Sequence, residues 1–152
     1  MIEIREGGLD DARVLALLAT HVAAAESVMP PGTGFAYDAV RLAAADIYFC
    51  AAWDGAALLG FGALKQLGGA EGEVKSMRVA DAARGRGVGD AILERLIAVA
   101  RGRGITMLRL ETGLSEGYGP ARAFYARAGF RSGPCFGEHR PTSPSLFMMR
   151  EI

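Results

Sequence analysis

The sequence has no asparagine, two cysteines and two histidines, and each shortage excludes a class of protein or site. Without asparagine there is no acceptor for N-glycosylation. Cys50 and Cys135 are too few for a disulfide scaffold. Together with His21 and His139, at scattered spacings, they do not form the pattern of a structural zinc site. We therefore expect no bound metal and a soluble, cytoplasmic protein.

Long apolar runs and an excess of one charge are missing as well. The longest apolar runs, residues 47–53 and 56–64, have the length of strands and fall short of the roughly 18 residues of a membrane span. Residues 1–6 are charged and contain no signal-peptide core. Lys plus Arg and Asp plus Glu both number 17, so the net charge is zero. This balance argues against nucleic acids and membrane surfaces as partners.

The remaining composition is that of a globular protein. The 152 residues are 51% apolar, which suits a single domain over residues 1–152. Hydrophobic periodicity predicts the order β-α-α-β-β-β-α-β-α-β-β. The corresponding ranges are 2–5, 9–26, 38–45, 47–53, 56–67, 73–79, 88–101, 106–111, 120–128, 130–131 and 146–149. This order indicates a mixed α/β (α+β) domain with one central, mostly antiparallel sheet and about four helices.

One loop combines glycines with arginines at the start of a predicted helix. Residues 84–89 read RGRGVG and follow a predicted strand. Glycines let the backbone turn tightly, and free N–H groups at a helix N-terminus bind phosphate or pyrophosphate, to which Arg84 and Arg86 add charge. Neither nucleotide-binding motif fits, because Asp90 replaces the third glycine of the dinucleotide fingerprint and no Gly-Lys pair occurs. A plain helix-start turn is the alternative interpretation.

Two motifs occur in a fixed order around this loop. The first is V-x4-R-G-x-G-x-G over residues 79–89, and the second is A-x2-F-Y-x3-G-F over residues 121–130. The first resembles the acyl-CoA-binding motif of the GNAT superfamily of N-acetyltransferases, and the second resembles that family's later helix and strand. Since the element order also matches, the resemblance covers essentially the whole chain. Residues 73–77 (EVKSM) and the pattern FG…P-x2-FM over residues 136–148 are similar to a bacterial subgroup whose acceptor is unassigned.

The resemblance implies acetyl-CoA as the donor. Its pyrophosphate would lie on the N–H groups of residues 84–89, and its pantetheine arm along the strand edge at residues 77–79, whose N–H groups would also stabilise the thioester oxyanion. Many family members carry an asparagine at the position of Tyr118, so the contact it makes must come from another group here. The expected donor-binding residues are Met77, Arg78, Val79, Arg84, Gly85, Arg86, Gly87, Val88, Gly89, Thr112, Tyr118 and Arg122.

The resemblance also implies direct attack of an amine on the thioester, with two proton transfers. Tyr125 occupies the position of the family's general acid, and a phenol's reference pKa of about 10 exceeds the ~8.5 of a thiol. Glu73 lies where some members carry a catalytic glutamate, Glu111 is a second candidate base, and His21 and His139 are further candidates. The structural alternatives are a core position for Tyr125 and an ion pair with Lys75 for Glu73. Strand alternation predicts one shared face for Glu73, Lys75, Met77 and Val79.

The acceptor is expected to be a primary amine of a small molecule, an amino acid or a peptide. Family members select it with segments that correspond here to residues 27–35 and 133–145. The candidate acceptor-binding residues are Glu111, His21, Glu138 and His139, and His21 also suits a half-buried place on its helix. With Glu73, Lys75 and Arg140 nearby the pocket is mixed in charge, which favours an amine that bears a carboxylate, such as an amino acid or a peptide N-terminus. A non-catalytic acyl-CoA-binding module and a nucleotide-binding domain are the alternatives. Family members are often homodimers, and the sequence itself is silent on assembly.

Overall fold

The computed structural model describes residues 1–27, 36–141 and 145–152. Parts of the two segments expected to select the acceptor, residues 28–35 and 142–144, lie outside the described residues. The elements are β1 (Glu3–Glu6), α1 (Ala12–Ser27), α2 (Ala39–Leu42), β2 (Ile47–Asp54), β3 (Ala57–Gln66), β4 (Glu71–Val79), α3 (Val88–Gly102), β5 (Met107–Gly113), α4 (Gly119–Arg127), β6 (Arg131–Ser132) and β7 (Ser145–Glu151). Their order is the predicted one. Among the helices in these ranges, none is long and apolar enough to cross a membrane.

The described strands form one sheet in the order β1-β2-β3-β4-β5-β7-β6. Neighbouring strands are antiparallel except β4 and β5, which are parallel because α3 returns the chain between them. Four helices accompany this seven-stranded sheet in the described ranges. The expected mixed α/β fold with a mostly antiparallel sheet is therefore confirmed, whereas the extent of the domain over residues 1–152 stays a prediction.

The helices cover both faces of the sheet and create two cores. On one face α3 and α4 pack against the strands through buried side chains such as Ile92, Leu96 and Tyr125. On the other face α1 and α2 contribute Val14 and Leu42 to a second, smaller core. The apolar stripe of α3 has the 3.6-residue period that the sequence shows, which is why this helix lies flat on the sheet. A strand in the middle of the sheet thus points alternate side chains into different cores.

The central pair of strands separates halfway along its length. β4 and β5 pair only from Glu71 to Glu73 and from Met107 to Arg109. Beyond these positions residues 74–79 and 110–113 face each other without a ladder, so the backbone groups along these edges make no strand-to-strand hydrogen bonds across the gap. The separation lies at the carboxyl ends of two parallel strands, the usual place for a ligand in such sheets. We refer to the resulting gap as the cleft.

A β-bulge interrupts β4 where it borders the cleft. Phe61 of β3 pairs with Arg78, but Ala63 pairs with Lys75, so two residues of β4 lie opposite Gly62 alone. Ser76 lies in the bulge and has a φ of 55°. Such an insertion leaves one residue unpaired and shifts the pleat by one position.

The bulge overturns the prediction that Glu73, Lys75, Met77 and Val79 share a face. Met77 and Val79 pack against the core under α3. Lys75 pairs with Ala63, which belongs to the core under α1 and α2, and cross-strand partners share a face. The prediction is wrong because regular alternation ends at the bulge.

Candidate active site

Residues 84–89 form a tight loop before α3. Gly85 and Gly87 have φ values of 79° and 78°, a left-handed conformation that glycine adopts without strain. The first helical hydrogen bond joins the Ala91 N–H to the Gly87 carbonyl at 3.1 Å. The N–H groups of residues 88–90 therefore have no helical acceptor and, with the helix dipole, form a site for an anion.

The two arginines of this loop are ion-paired at the surface. Arg84 lies 3.1 Å from Asp81, and Arg86 lies 2.9 Å from Asp54 in the turn between β2 and β3. All four side chains are more than 40% exposed, and exposed pairs contribute little energy. The arginines therefore add positive charge around the loop, while its backbone provides the directed donors.

A cavity fills the cleft between β4 and β5, and we call it the cleft cavity. Its lining comes from α1, β4, β5, α4 and the segments just before α2 and α4. The lining residues are His21, Ala36, Glu73, Val74, Lys75, Ser76, Met77, Glu111, Thr112, Tyr118, Ala121 and Tyr125. Both predicted catalytic residues therefore reach the same cavity, although they are far apart in sequence. Arg78, Val79, Arg122 and the loop residues 84–89 lie outside its lining.

Tyr125 is positioned in the cleft cavity by α4 and by aromatic neighbours. Its ring packs edge-on against Phe124 and Phe130, at centroid distances of 5.3 and 5.6 Å. Only 8% of Tyr125 is exposed, and this burial raises the pKa of its hydroxyl. The hydroxyl is therefore protonated at neutral pH. Within the described residues the hydroxyl makes no hydrogen bond. Its proton is available to a molecule in the cavity.

Glu73 is a buried carboxylate at the last position where β4 pairs with β5. Its Oε2 accepts a hydrogen bond from Lys75 Nζ at 3.0 Å and contacts His139 Nε2 at 2.7 Å. Burial raises the pKa of Glu73, but the hydrogen bond from His139 and the charges of Lys75 and His139 outweigh it, so the net pKa is lowered. Glu73 is therefore ionised at neutral pH. Both contacts involve Oε2, and Oε1 accepts no hydrogen bond from any described residue.

His139 lies in the loop after β6 and bridges the two separating strands. Its Nε2 contacts Glu73 on β4, and its Nδ1 lies 3.5 Å from Oε1 of Glu111 on β5. Ser145 donates to the other oxygen of Glu111 at 2.8 Å, and the imidazole packs against Phe136. The result is a carboxylate–imidazole–carboxylate chain across the cleft. In the described ranges no group of three or more His, Cys, Asp or Glu side chains is arranged to hold a metal ion.

His21 lines the α1 wall of the cleft cavity and is half-buried, as expected for its helical stripe. Its ring lies edge-on to Phe61 at a centroid distance of 6.0 Å. Burial, followed by the positive charge of Arg78, lowers the pKa of His21 to about 4. At neutral pH His21 is thus a neutral hydrogen-bonding group.

The other residues predicted to contact the pantetheine arm divide into two groups. Thr112 and Tyr118 line the cleft cavity, and the Tyr118 ring lies directly against Gly113. Arg122 instead donates to the backbone carbonyls of Gly113 and Ser115, at 2.7 and 2.9 Å. Arg122 therefore fixes the connection between β5 and α4.

A second cavity, which we call the outer cavity, borders the cleft cavity at Glu73. It is lined by Tyr37, Arg41, Asp46, Lys65, Gln66, Leu67, Glu73, Gly137, Glu138 and His139. Two of the predicted acceptor-binding residues, Glu138 and His139, thus lie together on one wall. Glu111 and His21, the other two, line the cleft cavity instead.

The basic wall of the outer cavity was not predicted from the sequence. Lys65 donates a hydrogen bond to the Tyr37 hydroxyl at 2.8 Å, and Arg41 stacks on the Tyr37 ring. A signal was present in the composition, because the chain has two lysines and fifteen arginines. Both lysines, Lys65 and Lys75, lie next to Tyr37.

Comparison with known proteins identifies relatives along nearly the whole chain. Residues 19–130 match the model of the Acetyltransferase (GNAT) family. The chain is 32% identical over 151 residues to YsnE of Bacillus subtilis (strain 168), covering 99% of this chain and 100% of YsnE. It is 34% identical over 148 residues to YedL of Escherichia coli (strain K12), covering 97% and 93% of the two chains. Both relatives are named as uncharacterized N-acetyltransferases.

Solved structures with the same fold include one with a bound coenzyme. A Klebsiella pneumoniae protein described as an acyl-CoA N-acyltransferase superimposes with a TM-score of 0.79 at 28% identity, covering 99% of this chain and 97% of that one. PaiA N-acetyltransferase from Thermoplasma acidophilum, solved in complex with coenzyme A, superimposes with a TM-score of 0.74 at 18% identity. Here 100% of this chain and 99% of PaiA are covered, and the likeness concerns the fold.

Proposed function

Because the chain belongs to the acetyltransferase (GNAT) family and is an N-acetyltransferase, we propose that it transfers the acetyl group of acetyl-CoA to a primary amine by direct attack. GNAT acetyltransferases use an acyl-CoA and an amine, and a structure of this fold contains coenzyme A. The observation that carries the proposal is the cleft cavity, where Tyr125 and the ionised Glu73 line one space beside the open edge of β4.

We assign the donor to the loop at α3 and to the open edge of β4. The N–H groups of residues 88–90 suit the pyrophosphate, and Arg84 and Arg86 lie beside it. The pantetheine arm would pair with the backbone of residues 77–79, past the last β4–β5 pair, as an added strand does at a sheet edge. Thr112 and Tyr118 form the opposite wall.

In the proposed reaction the amine nitrogen attacks the thioester carbonyl carbon, and the carbon–sulfur bond breaks. Backbone N–H groups at the bulge of β4 stabilise the oxyanion. Tyr125 gives its proton to the leaving sulfur, which suits its protonated state. An ammonium loses two protons in becoming an amide. Glu73 takes one through Oε1, and the other restores Tyr125.

His139 and Glu111 complete the acceptor side of the proposed mechanism. His139 contacts Oε2 of Glu73 and so directs the other oxygen, Oε1, to the substrate. Through Glu111 the same imidazole connects the two strands that border the cleft. We therefore assign His139 as the residue that orients Glu73.

The relatives do not favour a non-catalytic acyl-CoA-binding module, since they are named as transferases. The homodimer expected from the family stays a prediction. The partner that matters for the proposal is the amine, which the names of YsnE and YedL do not specify.

The first test is isothermal titration of the purified protein with acetyl-CoA, using ATP and NAD as controls at moderate salt. We expect binding of acetyl-CoA and none of the two nucleotides, because the loop matches neither nucleotide motif. Thiol release is then measured with a panel of amino acids, short peptides and polyamines. The proposal would be refuted if acetyl-CoA did not bind, or if none of the amines in the panel caused thiol release.

A further inference from the structure

In the part of the chain that the structure describes, the outer cavity reaches Glu73 from the side opposite the proposed donor. It has a volume of about 400 Å³, within the range of small-molecule sites. On the proposed function the thioester's acetyl group occupies the cleft cavity, whose volume of about 70 Å³ leaves no room for an acceptor as well. An acceptor must then reach Glu73 from the outer cavity, which shares this residue with the cleft cavity. The chemistry of the outer wall therefore selects the acceptor.

Three cations surround the ring of Tyr37, and two of them, Arg41 and Lys65, line the outer cavity. The Arg41 guanidinium carbon lies 3.7 Å from the ring centre, Lys75 Nζ 4.1 Å and Lys65 Nζ 5.3 Å. A tyrosine face attracts one cation, but three positive charges around one ring repel each other. Such a group is stabilised by an anion placed among the charges.

The protein supplies an anion for only part of this charge. Lys75 is paired with Glu73 at 3.0 Å. Lys65 and Arg41 have no acidic side chain at ion-pair distance in the described ranges. Lys65 donates to the Tyr37 oxygen, so the Tyr37 hydroxyl proton is free to point into the cavity. Lys65 and Tyr37 together can therefore hold a carboxylate by a charge-assisted pair of hydrogen bonds.

The distance from this carboxylate position to the proposed base is short. Lys65 and Glu73 are direct cross-strand partners of β3 and β4, so their Cβ atoms lie about 5 Å apart on one face. A carboxylate on Lys65 and an amine at Glu73 then fit within one small molecule, such as a free amino acid, which carries both groups on one carbon. The N-terminus of a peptide has no carboxylate so close to its amine.

We infer that the acceptor is a free amino acid, whose carboxylate is bound by Lys65 and Tyr37 while its amine meets Glu73. This inference rests on the proposed function and specifies its substrate class. Arg41 adds a second positive charge near the carboxylate. Asp46 and Glu138 also line the outer cavity and are exposed, so they disfavour acceptors with several negative charges.

The test compares each standard amino acid with its C-terminal amide, which keeps the amine and removes the negative charge. For the wild-type chain we expect kcat/KM to be about 10- to 100-fold higher for the acid, the usual value of a hydrogen bond to a charged group. Equal rates for acid and amide would overturn the inference. So would turnover of polyamines or peptides with none of the free amino acids.

The variant Lys65→Met tests whether Lys65 causes the preference for the acid over the amide, because methionine keeps a side chain of similar length and removes the charge. We expect the acid-to-amide ratio to fall to about one, with acetyl-CoA affinity unchanged. A ratio that survives in Lys65→Met would overturn the assignment of Lys65. If acetyl-CoA does not bind to the wild-type chain, or if no amine of any class releases thiol, the proposed function itself fails. The two failures are thus distinguishable.

Discussion

The two ends of the proposed active site are built in different ways. At the donor end, one contiguous segment presents the N–H groups of residues 88–90, and the conformation of Gly85 and Gly87 creates the site. At the acceptor end, side chains from β4, β5 and the loop after β6 meet around Glu73. One end thus depends on backbone shape and the other on the burial and charge of side chains.

This difference predicts separate responses to mutation. Backbone donors survive most side-chain changes but require the dihedral angles that only glycine adopts cheaply. A buried side chain can lose its function when a single atom is removed, because one hydroxyl or carboxylate makes the proposed proton transfer. Substitutions at the two ends should therefore separate donor binding from chemistry.

The largest effect is expected for Tyr125→Phe. Removing the hydroxyl removes the proposed proton donor, so kcat should fall by about 10²- to 10⁴-fold. Acetyl-CoA affinity should change by no more than about twofold, because the ring and its packing against Phe124 and Phe130 remain. Steady-state thiol release and isothermal titration on the same preparation check both values.

Tyr48→Phe is a matched control for this substitution. Tyr48 belongs to the same core cluster as Tyr125 but does not line the cleft cavity. Its loss of a hydroxyl should leave kcat unchanged. If Tyr125→Phe alters stability alone and keeps kcat, Tyr125 is a core residue and the general acid is another group.

The fold and the donor end are the parts that sequence predicts well. The stripe of α3, with Ile92 and Leu96 buried, follows directly from helical periodicity. The loop of residues 84–89 is contiguous, so its glycines and arginines are visible as a motif. Local rules suffice where a structure is made by neighbours in sequence.

The acceptor end escapes such rules because its geometry arises from distant residues. His139 meets Glu73 across 66 positions of sequence, from a loop without a periodic pattern. The bulge at Ser76 has no marker such as glycine, and it places Met77 and Val79 on the face opposite to the expected one. Tyr37 was not singled out, since its importance depends on the lysines that fold around it.

A smaller effect is expected from the titration of His21. The pKa of His21 is about 4 in the folded chain, against about 6.5 when unfolded. Between about pH 4 and pH 6.5 the unfolded chain therefore binds more protons at His21 than the folded chain does. The contribution of His21 to the free energy of unfolding is retained above pH 6.5 and lost as the pH falls to about 4. Between pH 7.5 and pH 5 the loss should be about 2 kcal/mol.

His21→Phe removes this titration and keeps an aromatic ring beside Phe61. Urea unfolding at several pH values should show the variant gaining about 2 kcal/mol relative to wild type between pH 7.5 and pH 5. Carboxylate titrations occur in both proteins and cancel in the difference. Parallel stability curves would mean that His21 is not held neutral by burial.

The smallest effect, at the donor end, is expected for Gly87→Ala. A Cβ at this position meets no atom within 4 Å, so the cost is the left-handed backbone alone, about 1–2 kcal/mol of unfolding free energy. If the loop relaxes to relieve that strain, the N–H groups of residues 88–90 move from the pyrophosphate. Acetyl-CoA affinity should then fall by up to about tenfold.

Gly102→Ala, at the other end of α3, separates strain from the mere addition of a methyl group. Its Cβ also meets nothing within 4 Å, and its φ lies outside the left-handed region, so stability and affinity should be unchanged or slightly improved. Turnover at saturating acetyl-CoA should stay near wild type in both variants, because neither touches Glu73 or Tyr125. A Gly87→Ala variant that binds acetyl-CoA normally but has a low kcat would contradict the separation of donor binding from chemistry. The loop would then affect the acetyl-transfer step rather than the binding of the donor.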